Sequence, residues 1–493
     1  MKQLLSRVSV HALAWILVMG GVCQAQPGQI DSPSALGPAA KLPPNLEEIG
    51  RVLQTEMQAQ HIPGAAIAVV KESGVIYAKG FGVESSESDR PITPDTLFRI
   101  ASLTKMFTAA AVVSLKEEGK IGLDQPVGKY VQGLSPKIGA LTLHQLLTHT
   151  SGLSDDQSID GAHDEGELGR RMRGLDDDVA FLPAGKYFSY SGLGYQLVGL
   201  AIEAASGKNY ADYVSEKIFQ PLGMTRTTFR PTIAMTYPLA QGHQKATDGF
   251  LAVVRPYPDN AGRWPSTAIM SSVSDLARFA IAFMADGKLD GTQVVLSTVT
   301  KQLPLPYVDA PGMGEGAHYG YGQAIQNYRG VRVILHSGST PGFGSSIWMM
   351  PEQKVAIVIL GNLTAAQFTK SFEKATELLM RLEPPAGKEQ PHQVPMTEAE
   401  MEMIAGSYAN PYLGAIHLCV RDHRLFFERV GFDLRFSVGS ESPVAKLSEN
   451  NFEVGLPSGA PQHFWLIESG KSEPMLLNMG VRIFKKGTAL KIH

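Results

Sequence analysis

Apolar positions recur along this chain at two periods, helical and alternating, and where one gives way to the other the chain divides. Near the start, Leu46, Ile49, Leu53 and Met57 share one face at helical spacing. IPGAAIAVVKESGVIYAKGFG (Ile62 to Gly82) then gives two apolar runs joined at Glu72-Ser73-Gly74. This predicts a hairpin, with one strand apolar at nearly every position and so covered on both faces. FRIASLTKMFTAAAVVSLKEEGKIG (Phe98 to Gly122) predicts a helix whose Met106, Phe107, Ala109, Ala110, Val112 and Val113 leave it apolar almost all round. Such a helix is buried, yet Ser102 stands at its opening and Lys105 three residues on. Helix and strand patterns alternate to about Leu382. EPPAGKEQPHQVP (Glu383 to Pro395) is a linker by composition. Beyond it come short alternating strands: AIHLCV (Ala415 to Val420), RLFFERV (Arg424 to Val430), FWLI (Phe464 to Ile467) and VRIF (Val481 to Phe484), with a turn at Asp422-His423. They predict a small β module distinct in character from what precedes it.

Composition narrows the classes. The chain has 493 residues, 44% apolar and 18% charged, a globular balance with room for two or three domains. Lys plus Arg number 44 against 47 Asp plus Glu, for a net charge of −3. That near balance, without a long basic run, argues against nucleic acid or an anionic membrane surface as partner. The first 25 residues read as a secretory signal: Lys2 and Arg7 charge the start, HALAWILVMGGV (His11 to Val22) is apolar, and Ala25 offers a cleavage point. A periplasmic or secreted protein is expected, with no stable membrane span once the signal is removed. Val22 before Cys23 argues against a lipoprotein anchor. Only Cys23 and Cys419 exist, which leaves no cysteine-rich metal site or disulfide scaffold. The acidic stretch from Ser154 to Ala180 lacks a His at ligand spacing and reads as a solvated loop.

The serine and lysine carry the chemistry. On a helix, residues three apart are neighbours, with Cβ atoms about 5–6 Å from each other. Ser102 and Lys105 therefore set a hydroxyl beside an amine inside an apolar segment. To serve as a base near neutrality the amine must fall by about three pH units, at a cost of about 4 kcal/mol. Burial of a lysine supplies shifts of that size, so the pair can yield an activated nucleophile. S-x-x-K alone is a weak signal, and a capping serine beside a snorkelling lysine fits it too. The motif recurs as SFEK, Ser371 to Lys374, in a charged helix where both side chains are expected to face water.

Two further segments matter. In PAGKYFSYSGLGYQLVGLAIEAASG (Pro183 to Gly207), Tyr190-Ser191-Gly192 lies just before a helix. In VILHSGSTPGFGSSIWMM an apolar strand ends at His336-Ser337-Gly338. In this order the three elements resemble those of the β-lactamase-related serine hydrolases: class C β-lactamases, low-molecular-weight penicillin-binding proteins and their esterase and peptidase relatives. HIPGAAIAVV, TPDTLFRIASLTK, LTLHQLLTHTSGL, SSVSDLARF and HSGSTPGF strengthen the likeness, which runs from about Leu46 to Leu382.

The resemblance implies an α/β (α+β) β-lactamase-like sandwich, an antiparallel sheet flanked by helices plus a helical lobe, followed by a small lipocalin-like all-β module. The expected layout is a signal peptide at 1–25, a flexible leader at 26–44, the hydrolase domain at 45–382, a linker at 383–398 and a barrel-like domain at 399–493. It implies Ser102 as nucleophile, Lys105 as base, and Tyr190 sharing the base role and passing the proton to the leaving group. His336 would support the tyrosine by charge or hydrogen bond. The backbone N–H groups of Ser102 and Ser339 would form the oxyanion hole, with Ser337 and Gly338 beside the substrate. His144 and His149 are structural in such proteins. Gly192 stands where the family usually has asparagine, which favours esters over amides; the literal Tyr408-Ala409-Asn410 comes in the wrong order and reads as coincidence. No cofactor and no metal are expected. The implied activity is acyl-enzyme hydrolysis of a carboxylic ester or a D-amino-acid-type amide, a small-molecule or peptide substrate, with weak β-lactam hydrolysis at the side. The alternatives are a receptor acylated without turnover and a catalytically dead scaffold. The oligomeric state stays open.

Overall fold

A computed structural model describes residues 45–155, 160–246, 249–385, 393–411, 414–430, 442–455, 462–467 and 475–487. The expected signal and leader, residues 1–44, and residues 386–392 of the expected linker lie outside the described residues.

Nine strands form the principal sheet: β1 (Gly64–Lys71), β2 (Gly74–Ser85), β3 (Ser88–Pro91), β4 (Val308–Asp309), β5 (His318–Tyr319), β6 (Ala324–Tyr328), β7 (Val331–Thr340), β8 (Phe343–Met350) and β9 (Val355–Gly361). They lie in the order β4-β5-β6-β7-β8-β9-β1-β2-β3, each pair antiparallel. The near-continuous apolar run of β1 has the expected cause. Ala66, Ala68 and Val70 enter one core, while Ala65, Ile67 and Val69 enter another on the opposite face. Helix α1 (Glu47–Gln60) covers the second face with Ile49, Leu53 and Met57. Each such side chain removed from water contributes about 1.5–3 kcal/mol.

Helix α2 (Thr104–Glu117) has no Gly or Pro inside it and stops at Gly119, whose φ of +72° lets the chain turn away. It packs against α3 (Gly192–Ser206) in the helical lobe, while α4 (Val273–Met284) lies on the sheet. Helix α5 (Thr369–Leu379) carries the second S-x-x-K copy and corrects one expectation. Ser371 is fully buried, its hydroxyl donating to the Glu56 carboxylate, and Lys374 pairs with Glu48 at 3.0 Å. That serine ties α5 to α1.

From Gly406 on, eight strands close into a barrel: β10 (Gly406–Asn410), β11 (Gly414–Arg421), β12 (Arg424–Val430), β13 (Ser442–Lys446), β14 (Asn451–Val454), β15 (Gln462–Ile467), β16 (Leu476–Met479) and β17 (Arg482–Lys486), with β17 returning to β10. Alternate residues such as Ile416, Leu418, Leu425, Phe427, Phe452 and Phe464 fill it. Tyr408 and Asn410 are barrel fittings: the phenol donates to the Ile404 carbonyl at 2.7 Å and the amide to the Ile483 carbonyl at 2.7 Å. The expected sandwich and barrel are thus both present. Two boundaries moved. β7 runs past Gly338 to Thr340, so the histidine motif lies within a strand, and Val481 belongs to the β16–β17 turn.

Candidate active site

Ser102 occupies a 3-10 turn, Ala101–Leu103, that leads directly into α2. Ala101 holds a left-handed φ of 46°, a conformation costing a non-glycine residue on the order of 1–3 kcal/mol. The turn is fixed from two sides: Ile100 N–H donates to the Ile269 carbonyl at 2.9 Å, and the Ser345 hydroxyl on β8 donates to the Ile100 carbonyl at 2.7 Å. Lys105 is 1% exposed. Its Nζ donates to Ser102 Oγ at 3.2 Å and to the Ser266 carbonyl at 2.9 Å. Burial brings its pKa down from 10.5 to about 7; the Asp155 carboxylate opposes that shift, while Arg482 and Arg263 add to it.

Tyr190 lies on the extended segment entering α3, its ring centroid 4.9 Å from Lys105 Nζ. Four successive N–H groups hold that segment. Ser189 donates to the His149 carbonyl at 2.8 Å and Tyr190 to the Val481 carbonyl of the barrel at 2.9 Å. Ser191 donates to His149 Nδ1 at 3.1 Å and Gly192 to Asp155 Oδ1 at 2.8 Å. The backbone of this segment is positioned by groups distant in sequence: His149, Asp155 and the Val481 carbonyl of the barrel turn.

Behind the tyrosine runs a chain of neutral rings. Since His149 Nδ1 accepts from Ser191, its proton is on Nε2, 3.2 Å from the Tyr319 oxygen. Tyr319 in turn donates to His336 Nε2 at 3.3 Å, and His336 Nδ1 donates to the Ser337 carbonyl at 2.7 Å. Burial, with Lys105 nearby, lowers His149 well below 6.5 and His336 to about 3. His336 therefore carries no charge with which to support Tyr190, and its ring nitrogens face Tyr319 and Ser337. The His149 ring lies 4.1 Å from that of Tyr190, close enough to set its orientation. His144 meets Tyr321 at 2.7 Å.

β7 passes against the serine turn without a side chain in between. A Cβ at Gly338 would stand 2.8 Å from Ser102 N and 2.6 Å from the Ile100 carbonyl. Ser339 pairs with Gly344 on β8, and exposed Ser337 with Ser346. The structure therefore gathers Ser102, Lys105, Tyr190 and Gly338 around one point, with His336 joined to them through Tyr319.

Sequence reasoning missed Ser266, Tyr319, Asp155 and Arg482. The last two form an ion pair at 2.7 Å, and Arg482 also donates to the Tyr190 carbonyl. A Cβ at Gly192 would lie 2.9 Å from Asp155 Oδ1, so glycine stands at 192 beside a carboxylate that crowds the place of a larger side chain. Among the described residues no group of His, Cys, Asp and Glu could hold a metal ion, and no helix is long and apolar enough to cross a membrane.

The model of the beta-lactamase family matches residues 49–377. This chain belongs to the beta-lactamase family. Beta-lactamase family members are serine hydrolases, and the architecture here is the β-lactamase-like fold with a closed barrel behind it. Protein flp of Staphylococcus aureus strain N315 is 29% identical over 333 residues, 66% of this chain and 65% of that protein's length. The octameric penicillin-binding protein homologue from Pyrococcus abyssi is 26% identical with a TM-score of 0.64, covering 90% of this chain and 100% of its own. SurE, also solved with D-Leu, superposes with a TM-score of 0.73 at 22% identity, over 89% of this chain and 98% of its own, a likeness of fold.

Proposed function

We propose that this protein is a serine hydrolase acting through an acyl-enzyme on a carboxylic ester or a D-amino-acid-type amide. One observation carries the reading: an amine with a pKa near 7 stands 3.2 Å from a serine hydroxyl in a buried setting. Near neutrality about half of such amines are uncharged and ready to take the Ser102 proton. Ser102 Oγ then attacks the substrate carbonyl carbon. The N–H groups of Ser102 and Ser339 receive the oxyanion, each such donor being worth about 3 kcal/mol. The proton returns through Lys105 and Tyr190 to the leaving oxygen or nitrogen. Water hydrolyses the acyl-serine by the reverse of the same steps. Gly192 offers no side-chain amide to contact a substrate amide, and Asp155 Oδ1 crowds the place where one would stand, which favours esters, whose hydrolysis depends less on that contact. The D-Leu of SurE supports a D-configured residue beside the scissile bond. The charged start and apolar run of residues 1–25 support export to the periplasm or medium.

A panel of p-nitrophenyl esters, nitrocefin and D-Ala-D-Ala peptides tests this against Ser102→Ala. Turnover of an ester or D-peptide, lost in the variant, with fluorophosphonate labelling confined to Ser102, is the expected result. A stable adduct without turnover would make the protein an acylated receptor instead, and absent labelling would end the reading altogether.

A further inference from the structure

The barrel reaches into the active site. Its β16–β17 turn, with Gly480 at a φ of +64°, docks so closely on the residues before β5 that a Cβ at Gly312 would overlap the Gly480 carbonyl. From this turn Val481 accepts the Tyr190 N–H, and Arg482 donates to the Tyr190 carbonyl with its Cζ 4.8 Å from the tyrosine ring centroid. The second arm of the guanidinium meets Asp155 Oδ2 at 2.7 Å, and the other oxygen of that carboxylate holds Gly192 N–H at 2.8 Å. Asp155 and Arg482 thus clasp both ends of the segment that carries Tyr190. Their side chains are 8% and 16% exposed, so the two charges balance each other in poor contact with water.

We propose that Asp155 and Arg482 are a positioning pair for Tyr190 and Lys105, through which the C-terminal barrel supplies part of the catalytic site. The inference rests on the hydrolase reading above. Arg482 fixes the tyrosine backbone and lies over its ring, and Asp155 fixes the entry to α3. Both charges also act on the Lys105 amine, in opposite senses: Asp155 favours its protonated form and Arg482 its free form. The remaining groups that face this amine are Arg263 and the rings of Tyr190 and Tyr195, with neutral His149 and His336 behind them. With the pair intact the two fields offset each other. With Asp155 removed, Arg482 and Arg263 both favour the free amine; with Arg482 removed, Asp155 is still opposed by Arg263 but less strongly.

The experiment follows fluorophosphonate acylation of Ser102 and ester turnover against pH, in the full-length chain. Wild type must label and turn over; if it does not, the hydrolase reading falls and this inference with it. Given a working wild type, Arg482→Gln should move the acid limb of kcat/KM upward by about one pH unit, and Asp155→Asn should move it downward. Both should lower kcat at least tenfold. Arg482→Lys keeps the charge and loses the two-armed clasp, so its limb should stay near that of wild type while kcat falls. Should Arg482→Gln fail to fold, Asp155→Asn and Arg482→Lys carry the same contrast. Limbs that coincide with wild type, or that move in the same direction in both charge variants, would overturn the proposal, as would Arg482→Lys at full rate.

Discussion

At pH 7 the Lys105 amine is divided about evenly between its two forms, because burial has lowered its pKa from 10.5 to about 7. The acid limb of kcat/KM is therefore expected near pH 7, rising tenfold per pH unit below it and levelling above. The same residue weakens the fold. In the unfolded chain the lysine stays protonated up to its ordinary pKa, so between pH 7 and 10.5 the unfolded state binds more protons and stability rises with pH. Below pH 7 the full penalty applies. Lys105→Met is expected to abolish turnover yet raise the unfolding free energy by about 2–4 kcal/mol at pH 7, an advantage that shrinks toward pH 10.5. Denaturant titrations at the two pH values check it; equal gains at both would show that the lysine is not the source.

Among the elements, β7 sets the distance between the sheet and the serine turn. Gly338→Ala would press a methyl group against Ser102 N and the Ile100 carbonyl, backbone atoms with no rotamer to yield. A displacement of about 1 Å at a reacting group costs on the order of a hundredfold, and that loss is expected in kcat with a smaller change in KM. Ester kinetics on the purified variant decide it. Much at this scale was legible. Strands β1, β7 and β17 announce themselves by alternation or by continuous apolar runs, and Ser102, Lys105 and Tyr190 by spacing within short windows. The neutral state of His336 was not legible, since it depends on burial that no periodicity reports and on Lys105, far earlier in the chain. The burial of Ser371 was missed for the same reason: its partner Glu56 lies 315 residues away.

For the whole molecule, the contact between Gly312 and Gly480 decides whether the barrel turn can reach Tyr190. Gly312→Ala is expected to lower ester turnover at least tenfold, although residue 312 touches none of the reacting groups, and to cost about 1–3 kcal/mol of stability from the overlap. Activity and thermal unfolding measured on the same preparation test this; unchanged turnover would mean that the turn reaches Tyr190 regardless. Asp155 and Arg482 escaped the sequence because they are 327 positions apart and neither belongs to a motif. The strand expected from Val481 in fact begins at Arg482, a one-residue difference that puts Val481 in the docking turn.

That distance along the chain has a consequence for synthesis. Tyr190 and Arg482 are 292 positions apart, and ribosomes that add about 5–20 residues per second separate their appearance by on the order of 15–60 s. A growing polypeptide acquires its serine, lysine and tyrosine early, and the guanidinium proposed to steady them only once the barrel is being made. If Arg482 steadies Tyr190 as proposed, full turnover waits for the barrel, and a fragment ending before it is expected to hydrolyse esters more slowly than the full-length chain.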